Sequence, residues 1–204
     1  VNFFYIIQEE SFGIPHALYL AKKIIKNNKI CLVLGDNFIY SDNLIKMLVS
    51  AKKKEGSSIF CYKVDNPSEY GVLEKSSTEI MIKEKPKKTS SKLAIIGLYF
   101  FDNNFFKYFN QIQISKRGEY EITDILNIYL KHNKLSYEVL GRGATWYDAG
   151  SFENMLKISN YVDIIQTRQN NLVSCLEEIA LSNKWISKKY LKKIFSKIKN
   201  YNSY

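Results

Sequence analysis

The chain has 204 residues, 46% of them hydrophobic, and a formal net charge of +10. That is long enough for one α/β domain with a true core and a small appended lobe, and too apolar for a disordered protein. No apolar run reaches the roughly 18–20 residues that a membrane-spanning helix needs, so no membrane partner is expected.

The opening "VNFFYIIQEE" lacks the basic start and small-residue cleavage site of a signal peptide, and a cytoplasmic location is expected. Because it begins with Val1 and not Met, an upstream portion is also expected. Asn2–Ile7 reads as a buried strand. "GIPHALYLAKKIIKNN" places Leu18, Ala21, Ile24 and Ile25 at helical spacing. "KICLVL" (Lys29–Leu34) is a short continuous apolar run, the pattern of a parallel strand buried on both faces. Ser41 or Asp42 can cap a following helix with Leu44, Met47, Leu48 and Ala51 on one side and Gly56 as its stop. "SSIFCYKV" (Ser57–Val64) is a further strand. Strands and helices alternating in this way predict βαβ units and an open, doubly wound parallel sheet.

The texture then changes. "YGVLEK", "EIMIKEKP" and "AIIGLYFF" predict short antiparallel hairpins, or a flap beside the main sheet. "EYEITDILNIYLKHN" is helical, with Ile122, Ile125, Leu126, Tyr129 and Leu130 on one side. "LSYEVLGRG" returns as a strand, and a helix capped by Ser151 follows. From there to Tyr204 the pattern is helical, ending in a stripe of Leu191, Ile194, Phe195 and Ile198. No Gly/Ser/Pro linker appears. Residues 1–150 are expected to form a core and residues 151–204 a helical lobe packed on it.

Cys31, Cys61 and Cys175 are widely spaced, with no CxxC or Cys/His cluster, and read as reduced thiols, the first two in buried strands. Seven lysines lie between Lys184 and Lys199. Such a charge excess suits nucleic acid, an anionic surface or a phosphorylated small molecule. Codon bias in an A+T-rich genome gives the same Lys, Ile, Asn and Tyr richness without any function. No nucleic-acid-binding motif accompanies the charge, so no nucleic-acid partner is expected.

Four stretches carry chemistry. In "LVLGDN" an apolar strand ends in Gly35 and Asp36. Ligands of open α/β sheets bind at the carboxyl ends of strands, and a carboxylate there suits Mg²⁺ shared with substrate phosphates. The tripeptide is equally good turn chemistry, and on these residues alone both readings stand. "WYDAGSF" sets Asp148 between a strand and a helix start, where it can be a second ligand of the same ion. "KEKPKK" leaves Glu84 and Lys85 side by side at a strand end closed by Pro86: an acceptor for sugar hydroxyls and a cation for phosphate, or a solvated charge run. "SKRGEYEITD" puts Arg117 and Gly118 just before a helix, where the arginine can hold a phosphate or simply line a loop.

Taken in order and spacing, "LVLGDN", "EYGVLE", "EKPK", "IIGLYFFD", "RGEYEITD", "LGRGATWYDAGS" and "CLEEIA…WIS" resemble the sugar-1-phosphate nucleotidyltransferases. The resemblance reaches about Ile186 and is nearest to the glucose-1-phosphate thymidylyltransferases. It implies a Rossmann-like mixed sheet flanked by helices, with a small antiparallel sugar-binding flap and a C-terminal helical lobe. It implies transfer of a deoxythymidylyl group from dTTP to glucose 1-phosphate, releasing pyrophosphate, on the way to dTDP-rhamnose. Asp36 and Asp148 would hold Mg²⁺. Gln8 and Gly13 would meet the base. Asn37, Tyr70, Gly71, Glu84, Ile95 and Tyr99 would surround the sugar, with Lys85 and Arg117 on its phosphate in the catalytic roles. A homo-oligomer, a tetramer in the family, is implied as well, together with an allosteric nucleotide site. His16 stands where relatives often carry Gln, and neither it nor His132 is assigned chemistry.

One departure is large. The family's glycine-rich "GGxGTRL"-type loop, which cradles the triphosphate, has no counterpart among these residues. Little transferase activity and low monomer stability are therefore expected of this chain alone. The alternatives are a non-catalytic paralogue or fragment that keeps oligomer and nucleotide surfaces, a transferase using another nucleotide or sugar, and a basic nucleic-acid binder.

Overall fold

A computed structural model describes residues 2–76, 79–170 and 172–195. The chain forms two compact units, Val1–Ala149 and Gly150–Tyr204. The first contains α1 (Ile14–Leu20), α2 (Lys22–Ile25), β1 (Ile30–Val33), β2 (Asn37–Tyr40), α3 (Leu44–Lys53), β3 (Ser57–Lys63), β4 (Gly71–Lys75), β5 (Ile80–Glu84), β6 (Leu93–Phe101), α4 (Asn104–Phe109), α5 (Ile122–Lys131), β7 (Leu135–Val139) and β8 (Thr145–Asp148). The second contains α6 (Phe152–Gln169), α7 (Leu176–Ser182) and α8 (Lys188–Phe195).

The main sheet is mixed, with order β5-β4-β6-β3-β7 and β1 added on β6. β6 organises it. Its run LAIIGLYFF is β-branched and aromatic, and it is buried at nearly every position. One edge pairs with β3 and the other with β4 and β1. Core residues on one face of the sheet include Ile95, Tyr99 and Phe101, packed with Leu18 of α1, Phe105 of α4 and Leu126 of α5. On the other face Ala94, Ile96, Leu98 and Phe60 pack with Ala51 of α3. Each large side chain so buried contributes about 1.5–3 kcal/mol relative to exposure.

Three expectations change. β1 and β3 are not neighbouring parallel strands: each lies antiparallel to β6, which separates them. The parallel pair is β3 with β7. The longest apolar strand takes the centre because both of its faces need covering, so "AIIGLYFF" is the middle of the sheet and not part of a flap. The β4–β5 hairpin is antiparallel as read. Residues 2–7 form no strand; Phe3 is 77%, Tyr5 92% and Ile7 83% exposed, because no described strand pairs with them. Cys31, on the short β1, is exposed, while Cys61 on β3 is buried.

In the second unit Ser151 caps α6, its Oγ accepting from the Asn154 N–H at 3.1 Å. Left-handed Asn170, Ser174 and Lys184 break the continuous helix expected there into three. No residue of α6 or α7 is buried. Of the last apolar stripe, Ile198 lies outside the described residues.

Candidate active site

β2 and β8 form a separate two-stranded antiparallel ribbon, with Asn37 opposite Asp148. This places Asp36 and Asp148 diagonally across one end of the ribbon. The Asp36 carbonyl accepts the Ala149 N–H at 2.6 Å, extending the ladder past both carboxylates. Asp36 is exposed and Asp148 half-buried. A Cβ on Gly35 would meet nothing within 4 Å, so the backbone before Asp36 borders open space.

Asn37 makes three side-chain hydrogen bonds. Its Oδ1 accepts the Gly97 N–H at 2.9 Å and the Trp146 indole N–H at 2.7 Å, and its Nδ2 donates to Asp36 Oδ1 at 2.7 Å. A Cβ on Gly97 would sit 2.6 Å from Asn37 Nδ2. Gly97 is therefore the gap in β6 through which Asn37 anchors the Asp36 carboxylate to the main sheet. The register of β3 against β6 shifts across the same stretch, between Ile59 and Cys61. Tyr70 joins this group through Trp146 and Asp148. Its ring meets Trp146 edge-on at 5.0 Å, and its hydroxyl donates to Asp148. Burial first, and the Asp148 carboxylate second, raise the Tyr70 phenol pKa, keeping it a neutral donor.

The other predicted sugar residues converge on one face of the sheet. A Cβ on Gly71 would lie 3.5 Å from Glu84 Oε2 and 3.8 Å from Ile95 Cδ1. Ile95, Gly97 and Tyr99 alternate onto one side of β6. Ile95 and Tyr99 also belong to the core. Burial, with Glu84 nearby, raises the Tyr99 pKa.

Arg117 follows Ser115 in a tight turn ahead of α5. Its guanidinium lies 3.1 Å from Glu84 and 3.5 Å from Glu121. To hold a phosphate it must exchange carboxylates for phosphate oxygens. Burial and then the neighbouring Glu121 charge raise the Glu84 pKa, and Arg117 opposes them. Lys85 is exposed, takes a left-handed φ of 38° and donates its backbone N–H to the Tyr70 carbonyl. Such a conformation costs a non-glycine residue about 1 kcal/mol or more, and it turns the chain sharply after β5. Its ammonium enters no ion pair among the described residues.

Gln8 and Gly13 border a hollow of about 320 Å³ shared with Leu32, Leu34 and Glu119. Gly13 has φ 88°, and a Cβ there would collide with the Tyr120 carbonyl at 2.5 Å. Leu34 puts this hollow two residues from Asp36. His132 ends α5 and stacks on Tyr108.

Sequence reasoning misses the Trp146–Asn37–Gly97 clamp and Glu121. Two signals were available: a glycine inside an apolar strand, which marks close backbone approach, and an indole N–H that needs a partner. Among the described residues no cluster of three or more His, Cys, Asp or Glu could cage a metal. The two carboxylates at the ribbon end are hard oxygen donors and suit an ion that takes its remaining ligands from substrate and water. No described helix is long and apolar enough to cross a membrane.

The pattern of the family described as "Nucleotidyl transferase" matches residues 1–163. The chain is 36% identical over 197 residues to a glucose-1-phosphate thymidylyltransferase of Neisseria meningitidis, covering 95% of this chain and 68% of that one. It is 41% identical over 182 residues to the protein of that name from Mycolicibacterium smegmatis, covering 88% and 63%. Among solved structures, one described as a glucose-1-phosphate thymidylyltransferase of Bacillus anthracis in complex with a sucrose superposes with TM-score 0.69 at 34% identity, covering 79% of this chain and 65% of that one. A UDP-glucose pyrophosphorylase complexed with UDP-glucose gives TM-score 0.69 at 26% identity, covering 78% and 64%. The chain thus spans about two thirds of the length of the curated relatives it matches. With its mixed sheet, its paired carboxylates and this match over most of its length, the chain belongs to the nucleotidyl transferase family.

Proposed function

We propose that this chain is the part of a glucose-1-phosphate thymidylyltransferase that holds the sugar phosphate, the base and the metal ligands. A phosphate oxygen of glucose 1-phosphate attacks the α-phosphorus of dTTP. The bond from that phosphorus to the oxygen bridging to the β-phosphate breaks, giving dTDP-glucose and pyrophosphate. The attacking oxygen is already anionic, so no general base is required. The task of the protein is to bring two polyanions together in line and to balance the charge that builds on the phosphates.

Asp36 and Asp148 would hold Mg²⁺, which supplies charge neutralisation when bound. Glu84 offers a carboxylate to the sugar hydroxyls. Lys85 and Arg117 serve the sugar phosphate, Arg117 by leaving Glu84 and Glu121. Gly71, Ile95 and Tyr99 shape the sugar's seat, and Gln8 with Gly13 receives the base. The observation that carries this reading is the convergence of Gly71, Glu84 and Ile95 on the main sheet, to which Asn37 ties the Asp36–Asp148 end of the separate ribbon through Gly97. No glycine-rich triphosphate loop occurs among the 204 residues. The apolar side chains exposed along α6, among them Phe152, Met155 and Leu156, support assembly into a homo-oligomer.

The test is pyrophosphate release from dTTP and glucose 1-phosphate with Mg²⁺, with the product sugar nucleotide identified by mass and UTP run as competitor. Glucose-1-phosphate-dependent release from dTTP is expected of the protein expressed from its complete gene. Release only with UTP, or none, overturns the reading.

A further inference from the structure

The Gln8 amide is oriented by its partners. Its Nε2 lies 3.2 Å from the Gly13 carbonyl, which can only accept. That fixes the amide with its NH₂ towards Gly13. The same NH₂ lies 3.0 Å from His16 Nδ1. With both hydrogens donated, His16 Nδ1 must accept, so the ring proton belongs on Nε2. Stacking on Tyr120 (6.2 Å, 22° between planes) and an edge contact with Phe12 (5.5 Å) hold the ring in place. The amide's Oε1 is left without a partner among the described residues. It is an acceptor beside the hollow shared with Leu34 and Glu119.

We infer that His16 is a positioning residue for base recognition: neutral, it locks Gln8 with its oxygen outward, as an acceptor for the imide N–H of a thymine or uracil base. This rests on the proposed seating of the base at Gln8. A protonated His16 has no acceptor at Nδ1. The lock is then lost, and a flipped amide would set its oxygen against the Gly13 carbonyl. The other titratable groups here are the Tyr120 phenol stacked on the ring, the Glu119 carboxyl on the hollow, and Glu9 and Glu10 in the loop that carries Gln8.

The experiment is calorimetric binding of dTTP from about pH 5 to 8.5, the range in which imidazoles titrate, with the protein expressed from its complete gene, as wild type and as His16→Gln. A glutamine can accept from Gln8 at every pH, and the triphosphate's own titration is common to both proteins. Each protein's affinity is referred to its own value at the alkaline end. At the acid end the wild type should fall ~10-fold relative to the variant. Parallel curves overturn the inference while leaving base binding intact; no dTTP binding at any pH overturns both readings. Ring-nitrogen NMR of the wild type at alkaline pH gives a check that needs no variant: a proton on Nδ1 in place of Nε2 refutes the lock.

Discussion

Asn37 shows how one short side chain can support a charged centre. It ties an exposed carboxylate to a buried strand through two hydrogen bonds and receives a third from the Trp146 indole. Gly97→Ala drives a Cβ to 2.6 Å from Asn37 Nδ2 and should displace the clamp. The expected result is a loss of about 1–3 kcal/mol in the melt and a higher Mg²⁺ requirement for transfer, read by titrating the metal at saturating substrates. Trp146→Phe removes one donor and should cost about 1 kcal/mol, with a smaller change in the same titration. An unchanged Mg²⁺ dependence in both would show that Asp36 needs no such support. Glu84 supplies a pH test. Its folded pKa is raised, so its contribution to stability is full below the ordinary carboxylate range and is lost as pH rises through the raised value. Relative to wild type, Glu84→Gln should therefore gain stability as the pH rises from about 4 towards neutrality. Parallel melting curves across that window would refute it.

Among the elements, the open edge of β5 carries the sharpest test. Asn127 of α5 accepts the Ile82 N–H at 3.3 Å and donates to the Ile82 carbonyl at 2.9 Å, taking the place of a ladder partner. Asn127→Ala should cost about 1–3 kcal/mol and promote edge-to-edge association, visible by light scattering. Gly56 joins α3 to β3 with φ 77°, and a Cβ there would lie 2.1 Å from the Lys134 carbonyl oxygen. Gly56→Ala should be among the most damaging single changes outside the core, lowering the melting temperature more than Gly118→Ala, which meets no atom within 4 Å. Elements with strong period were legible in the sequence: α5 buries Ile122, Ile125, Leu126 and Tyr129 as its spacing predicts. The four-residue β2 was not, because NFIY is too short to show alternation and gains its strand character from β8. The place of β6 was not legible either, since an apolar run states its burial but not its neighbours. Asp36 could be read locally from a strand end. Its clamp could not, because Trp146 and Asn37 are 109 residues apart.

Across the whole molecule, apolar side chains remain uncovered in both units: Phe3, Phe4, Tyr5 and Ile7 in the first, Phe152, Met155 and Leu156 in the second. Patches of this kind mark interaction surfaces or aggregation liabilities. The 204-residue chain expressed alone should self-associate at micromolar concentration and show little transfer, since none of its nine glycines lies in a phosphate-cradling loop. Sedimentation shows the first, and pyrophosphate release tests the second; a monodisperse monomer or a robust rate would refute the respective claim. The Asn37 clamp also bears on how such a chain can change over time. The space above position 97 is already filled by the side chain from position 37, so the two positions share one volume and cannot vary independently. A side chain gained at 97 displaces the asparagine at 37, and with it the partner of the indole at 146. Across aligned relatives these three columns should therefore drift together or not at all.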